Sequence, residues 1–168
     1  MKNGTQKLTK LAAILAIAAG NSLADERTRR ILVSIPDRKL VLLDGNRVLR
    51  VYDVAVGKPS TPSPEGVFAV ANRLTDPTWF AGPNGPVAPG KNNPLGSRWI
   101  GLSKKGYGIH GTNAPRSIGK AASHGCIRMR KHDVEELFEL IGVGATVELC
   151  GERPPVMAGI LTAIAMVA

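Results

Sequence analysis

Aromatic side chains are scarce in this chain, at 4% of 168 residues: three Phe, two Trp and two Tyr. Any core must therefore rest on Val, Leu, Ile and Ala, which the 43% hydrophobic content supplies. The shortage also speaks against a nucleic-acid module, because such surfaces interleave Lys and Arg with stacking rings, and no such stripe occurs here. Cysteine is scarcer still, with only Cys126 and Cys150. They cannot form the tight Cys–Cys pair of a zinc knuckle. No internal repeat and no low-complexity segment is present, which excludes solenoids and arrays. No apolar run reaches the roughly 20 residues of a bilayer-spanning helix. The length suits one domain.

What is present at the start reads as an export signal. Lys2, Lys7 and Lys10 precede an apolar run from Leu11 to Ala19, and Ser22-Leu23-Ala24 puts small residues at the two positions a signal peptidase inspects. We expect residues 1–24 to be a secretory signal cut before Asp25; an uncleaved anchor is the alternative. Losing that segment removes three lysines and no acid, so the net charge falls from +9 to +6. A basic exported protein suits an anionic partner such as cell wall or lipid headgroups, although solubility alone would explain the charge. In an oxidising compartment two cysteines often pair, so Cys126 and Cys150 could form a disulfide.

The body of the chain is rich in strand signals. Ile31–Ile35 is apolar and β-branched, Pro36-Asp37 is turn chemistry, and Leu40–Leu43 is the next run. Asp44-Gly45-Asn46 signals a hairpin into Val48–Val56. The Pro/Ser/Thr-rich stretch from Lys58 to Gly66 predicts a loop, and Val67–Leu74 resumes the strand pattern. Residues 75–97 carry five prolines and four glycines. A loop of that length in a compact domain is usually functional or mobile; it could cover a cleft, with Trp79-Phe80 on substrate or in the core, or be a solvated excursion. RWIGL and YGIHG read as two short core strands, and Ser117–Ser123 as a helical turn. Lys131–Gly142 is the clearest helix: Val134, Leu137, Phe138 and Ile141 fall on one stripe, with Asp133 at the acidic start and Gly142 as the stop. ATVELC closes as a strand. The pattern predicts a mainly β sandwich or barrel-like fold. For the apolar tail, residues 151–168, packing on the sheet, contact with a membrane surface and disorder all remain open.

Two segments concentrate reactive side chains, GIHGT (Gly108 to Thr112) and SHGCIRM (Ser123 to Met129). A cysteine nucleophile needs a thiolate and a nearby imidazole to generate it. Both segments look like strand ends flanked by glycine, where the N–H groups of Gly125 and Cys126 could hold an oxyanion. Competing readings are an inert buried cysteine, a zinc site drawn from His110, His124, Cys126 and Cys150, and the disulfide.

The block from Ile109 to Leu149 resembles the catalytic segment of the L,D-transpeptidase family (YkuD-type domain). His110-Gly111, a spacer and then Ser123-His124-Gly125-Cys126-Ile127-Arg128 reproduce its pattern, and the opening strands with Gly57 and TPSPEG resemble its N-terminal half. The resemblance covers about residues 29–150, a single catalytic domain. It implies a mainly β, sandwich-like fold with one or two short helices. It implies a Cys126 nucleophile, a His110 base, a Gly111 carbonyl orienting that base, backbone N–H groups near His124, Gly125 and Cys126 for the oxyanion, and Ser123, His124 and Arg128 shaping the cleft. Arg128 carries a fork of donors suited to a carboxylate, or serves a structural ion pair. The implied substrates are peptidoglycan stem peptides. The implied acceptor is another stem, a lipoprotein lysine, or water, which would make the protein a carboxypeptidase. No metal or organic cofactor is implied, and no nucleic acid. Cys150 and His132 fall outside the motif, the first as a lone thiol and the second at the surface. A wall-binding module with a degenerate site is the non-enzymatic alternative.

Overall fold

In the computed structural model, residues 29–167 are described; the expected signal segment lies outside them. Ten strands form in chain order: β1 (Arg29–Ser34), β2 (Lys39–Asp44), β3 (Arg47–Asp53), β4 (Val56–Gly57), β5 (Gly66–Thr75), β6 (Arg98–Leu102), β7 (Gly108–His110), β8 (Ala121–Ser123), β9 (Ile127–Arg128) and β10 (Thr146–Cys150). Two α-helices, α1 (Lys131–Leu140) and α2 (Pro155–Val167), complete the described residues together with a 3-10 turn at Pro115–Ser117. The expectation of a mainly β fold with one or two short helices holds.

Eight strands make one mixed sheet in the order β3-β2-β1-β10-β5-β6-β7-β9, and β4 pairs with β8 alone. The two layers of the expected sandwich are halves of this one sheet, which curls on itself. Just beyond β3, Ala55 and Arg128 exchange backbone hydrogen bonds of 2.9 Å in both directions, bringing the β3 edge against the β9 edge. One apolar cluster accordingly draws on strands from the whole order, including Ile31, Leu40, Tyr52, Ile100, Ile109 and Ile127. Aliphatic burial of this kind contributes about 1.5–3 kcal/mol per side chain, which is how so few aromatics suffice.

The predicted stripe of α1 closes that core. Val134, Leu137, Phe138 and Ile141 are all buried in it. The helix ends at Leu140 rather than Gly142, because Ile141 is already extended (φ −127°, ψ 135°) while still turned inward. Glu136 ties α1 to β3, accepting from Arg50 Nε at 2.7 Å and from the Tyr52 hydroxyl at 2.8 Å.

One segment departs from the sequence reading, and another takes one of the places that the reading left open. Ser117–Ser123 is not a helical turn: only Ser117 belongs to the 3-10 turn, and Ala121–Ser123 pairs with β4 as a parallel strand. Alanine and serine hide a strand that exists because a neighbour supplies its hydrogen bonds. The tail packs on the sheet as α2, setting Met157, fully buried, with Val156, Ile160 and Leu161 against Leu32, Val41 and Leu43 on the outer face of β1 and β2. Arg153 fastens its approach through a forked pair with Asp37, at 2.6 and 2.9 Å to Oδ1. Among the described residues no helix is long and apolar enough to cross a membrane.

Candidate active site

The register of the last strands builds the site. Leu74 on β5 pairs with Trp99 on β6, Trp99 with His110 on β7, and His110 with Arg128 on β9. Side chains of directly paired residues share a face, so these four form one row across the outer side of the sheet. The neighbouring row, Ile100, Ile109 and Ile127, is fully buried on the inner side. Period-two alternation then puts Cys126, two residues before Arg128, on the outer side with His110. Thus buried isoleucines at 109 and 127 carry the imidazole and the thiol to the same face.

His110 is 5% exposed. Its Nδ1 lies 2.6 Å from the Gly111 carbonyl oxygen. A carbonyl only accepts, so Nδ1 carries the proton and, in the neutral ring, Nε2 is the free acceptor. Burial pushes the ring's pKa down to about 4; the Gly111 bond opposes that shift and the positive charge of Arg128 adds to it. The Cys126 thiol is pushed above its ordinary range by burial, against the opposing pull of a Gly108 backbone contact and of Arg128. Its Sγ faces the Gly106 carbonyl oxygen at 3.6 Å. The resting pair is therefore a neutral thiol and a neutral imidazole.

The turn that holds Cys126 is stapled by Ser123. Its hydroxyl donates to the Cys126 carbonyl oxygen at 2.6 Å and accepts from the Gly125 N–H at 3.0 Å, while its own carbonyl accepts from Lys58 N and Thr61 Oγ1. Ser123 is buried and shapes the turn from beneath. The Gly125 N–H, expected as an oxyanion donor, is thus bonded to the Ser123 hydroxyl in this structure. The Cys126 N–H makes no hydrogen bond among the described residues. Gly125 instead supplies a conformation, φ +115°, and a close approach: a Cβ there would stand 2.7 Å from the Tyr107 ring. His124 is exposed beside it. The Arg128 side chain makes no ion pair or hydrogen bond among the described residues, so the structural-pair reading is not what this structure shows.

Cys126 opens on a cleft of about 330 Å³ walled by Leu74, Trp79, Phe80, Leu95 and Trp99. The long loop, residues 75–97, forms one wall. It is ordered around Asn93, fully buried, whose amide donates to the carbonyls of Pro77, Val87 and Ala88, and a short antiparallel bridge joins Trp79 to Val87. Phe80 is 77% exposed, so it faces the cleft mouth rather than the core. Sequence reasoning missed Trp99, Tyr107 and Asn93; only the glycines alternating with a ring in RWIGL and YGIHG hinted at the first two.

Both cysteines are free thiols. Cys150 sits on β10 next to the α2 cluster, and burial, with Glu148 and Glu65 nearby, raises its pKa to about 11. His132 is exposed on α1. Among the described residues no group of three His, Cys, Asp or Glu side chains is arranged to hold a metal ion.

Comparison with known proteins agrees with this geometry. A family model described as the L,D-transpeptidase catalytic domain matches residues 28–149. The YkuD proteins of Bacillus licheniformis and Bacillus subtilis are similar, at 42% identity over 120 residues and 44% over 119, each match covering 71% of this chain. The chain spans 64% of the length of each of those two relatives. A crystal structure of a mutant Enterococcus faecium L,D-transpeptidase is similar at 26% identity with a TM-score of 0.63, covering 73% of this chain and 50% of that one. By this match over most of its length and by the fold that carries Cys126 and His110 to one face, the chain belongs to the L,D-transpeptidase catalytic-domain family.

Proposed function

We propose that this protein is an exported peptidoglycan L,D-transpeptidase acting through Cys126. The observation that carries the reading is the site itself: a cysteine on the floor of a cleft, on the same face as a neutral histidine whose Nδ1–H is tied to a carbonyl and whose Nε2 is left to accept a proton.

The donor is a stem tetrapeptide. As Cys126 Sγ attacks the carbonyl of its third residue, an L-centre such as that of diaminopimelate, the thiol proton passes to His110 Nε2. The Cys126 N–H, otherwise without a partner, donates to the oxyanion. The carbon–nitrogen bond then breaks, the proton moves from His110 to the departing nitrogen, D-alanine leaves and a thioester remains. An acceptor amine attacks that thioester, gives its proton to His110 and restores the thiol. Gly111 keeps the imidazole in the tautomer this needs. Arg128, unpaired and close enough to act on both reacting groups, is suited to a substrate carboxylate. The apolar walls at Trp79 and Phe80 suit the aliphatic parts of the stem. The acceptor is an amine of a second stem or of a lipoprotein lysine, and the basic surface fits an anionic wall.

The purified chain and its Cys126→Ala variant, incubated with a disaccharide-tetrapeptide and followed by mass spectrometry, test this. Release of D-alanine with cross-linked dimer, both abolished in the variant, is the expected result. Release without dimer assigns hydrolysis or a different acceptor. No release and no acyl-enzyme removes the enzymatic reading and leaves a wall-binding module.

A further inference from the structure

The outer face of β5, β6 and β7 carries an arrangement that the thiol chemistry alone does not call for. Trp99 stacks on His110, with ring centroids 5.7 Å apart and planes 22° from parallel. The other edge of the indole is held as well: Nε1 donates to Asn72 Oδ1 at 3.1 Å. Beneath the ring lie Gly101 and Gly108, which pair with each other across β6 and β7. A Cβ on Gly108 would stand 2.6 Å from the Trp99 ring, and one on Gly101 would stand 2.7 Å from Trp99 Nε1 and 2.5 Å from Asn72 Oδ1. Both residues must lack a side chain for the indole to lie flat and for Asn72 to reach it. Trp99 is half-buried and does not belong to the apolar core, so core packing does not account for it.

We propose that Trp99, tethered by Asn72 over the Gly101–Gly108 floor, is a positioning residue that fixes the plane of the His110 imidazole and shields it from water. The inference rests on the reading of His110 as the base for Cys126. The Gly111 bond fixes the position of Nδ1 but leaves the ring free to tilt about it; a stacked indole removes that freedom. Aromatic pairs prefer offset stacking at such separations. Arg128 on β9 is the charged group that acts on the ring, and it opposes protonation. On the β6 side, stacked Trp99 stands where water otherwise would.

The His110 ring is titrated by NMR in the full chain, in Trp99→Leu, Trp99→Phe and Asn72→Ala. The wild-type midpoint is expected at about 4. In Trp99→Leu it should rise by about one unit or more as water reaches the ring. Asn72→Ala should raise it less, and Trp99→Phe should restore most of the shift. Asn72 does not line the cleft, so its variant should lower kcat on the tetrapeptide by about tenfold with KM unchanged. A midpoint unmoved in both Trp99→Leu and Asn72→Ala overturns the proposal. So does a fall, which would show the indole stabilising the imidazolium through its π face. Should Trp99→Leu not fold, Asn72→Ala, at an exposed position, decides alone. The titration uses no substrate: a wild-type chain that releases no D-alanine defeats the transpeptidase reading, while an unmoved midpoint defeats this one.

Discussion

At the scale of single residues, Cys126 and His110 store their reactivity as neutral groups. Burial drives the thiol up and the imidazole down, so a thiolate–imidazolium pair is disfavoured at rest. Alkylation of Cys126 by iodoacetamide should therefore be slow at neutral pH and accelerate as the pH passes above the ordinary cysteine range. A rate plateau below pH 7 would reveal an ion pair and refute this account. In the sequence, spacing alone left an inert cysteine, zinc and a disulfide open; only the resemblance of His110-Gly111 and Ser123-His124-Gly125-Cys126 to the family's motif singled out a nucleophile and its base. The electrostatics were not legible there. Which groups cover His110 depends on strand register, and no spacing between Trp99 and His110 in the chain reveals that they stack. Ser123 shows the same limit: it reads as a cleft residue, yet its hydroxyl is used up in holding the turn.

At the scale of elements, strands bounded by turn residues were predicted within a few residues of their observed ends, because β-branched runs and Gly, Pro or Asn punctuation are local signals. Elements held by distant partners were not. β8 is an alanine–serine segment made into a strand by β4, and the loop across residues 75–97 owes its order to the three carbonyls gathered by Asn93. The tail left three possibilities open because an apolar helix carries no address; its place on β1 and β2 follows from Leu32, Val41 and Leu43 being apolar on the outer face too. Met157 is the fully buried contact of that seam. Met157→Ala should cost about 2–3 kcal/mol in urea unfolding, with cleft chemistry in the folded molecule unaffected. A loss under about 0.5 kcal/mol, within the range of ordinary surface substitutions, would mean that α2 is not docked in solution.

At the scale of the molecule, acid should act in two stages. Folded His110 resists a proton that the unfolded chain takes up near the ordinary histidine value of 6.5. Stability is complete above that value and falls as the pH drops from about 6.5 to about 4, by about 3 kcal/mol. The carboxyls of Asp37, Asp53 and Glu136 lie below their usual range, held there first by hydrogen bonds from Arg153, Lys39 and Arg50 respectively. Their stabilisation is present above the usual carboxylate range and is lost as the pH falls through it. Denaturant unfolding at pH 7, 5.5 and 4 should show the first stage, and His110→Gln should flatten it. A slope that persists in that variant would locate the proton elsewhere.

The position of β10 has a consequence for how such a chain comes to be folded. It lies between β1 and β5 in the middle of the sheet, in parallel register with β1 from Arg30–Thr146 to Ser34–Cys150, yet it follows every other strand in the chain. Until it emerges, the β1 edge of the meander and the β5 edge of the β5-β6-β7 set stay bare, and the two sides meet only through the Ala55–Arg128 bridge and the β4–β8 pair. The middle of the sheet cannot be closed early, because loop closure over more than a hundred residues must come before the β1–β10 contacts are rewarded. Assembly is thus withheld until synthesis has passed the reactive cysteine. A ribosome-stalled chain ending before Thr146 should remain protease-sensitive throughout, and a folding-rate measurement should find the slow step in the pairing of the first strand with the last.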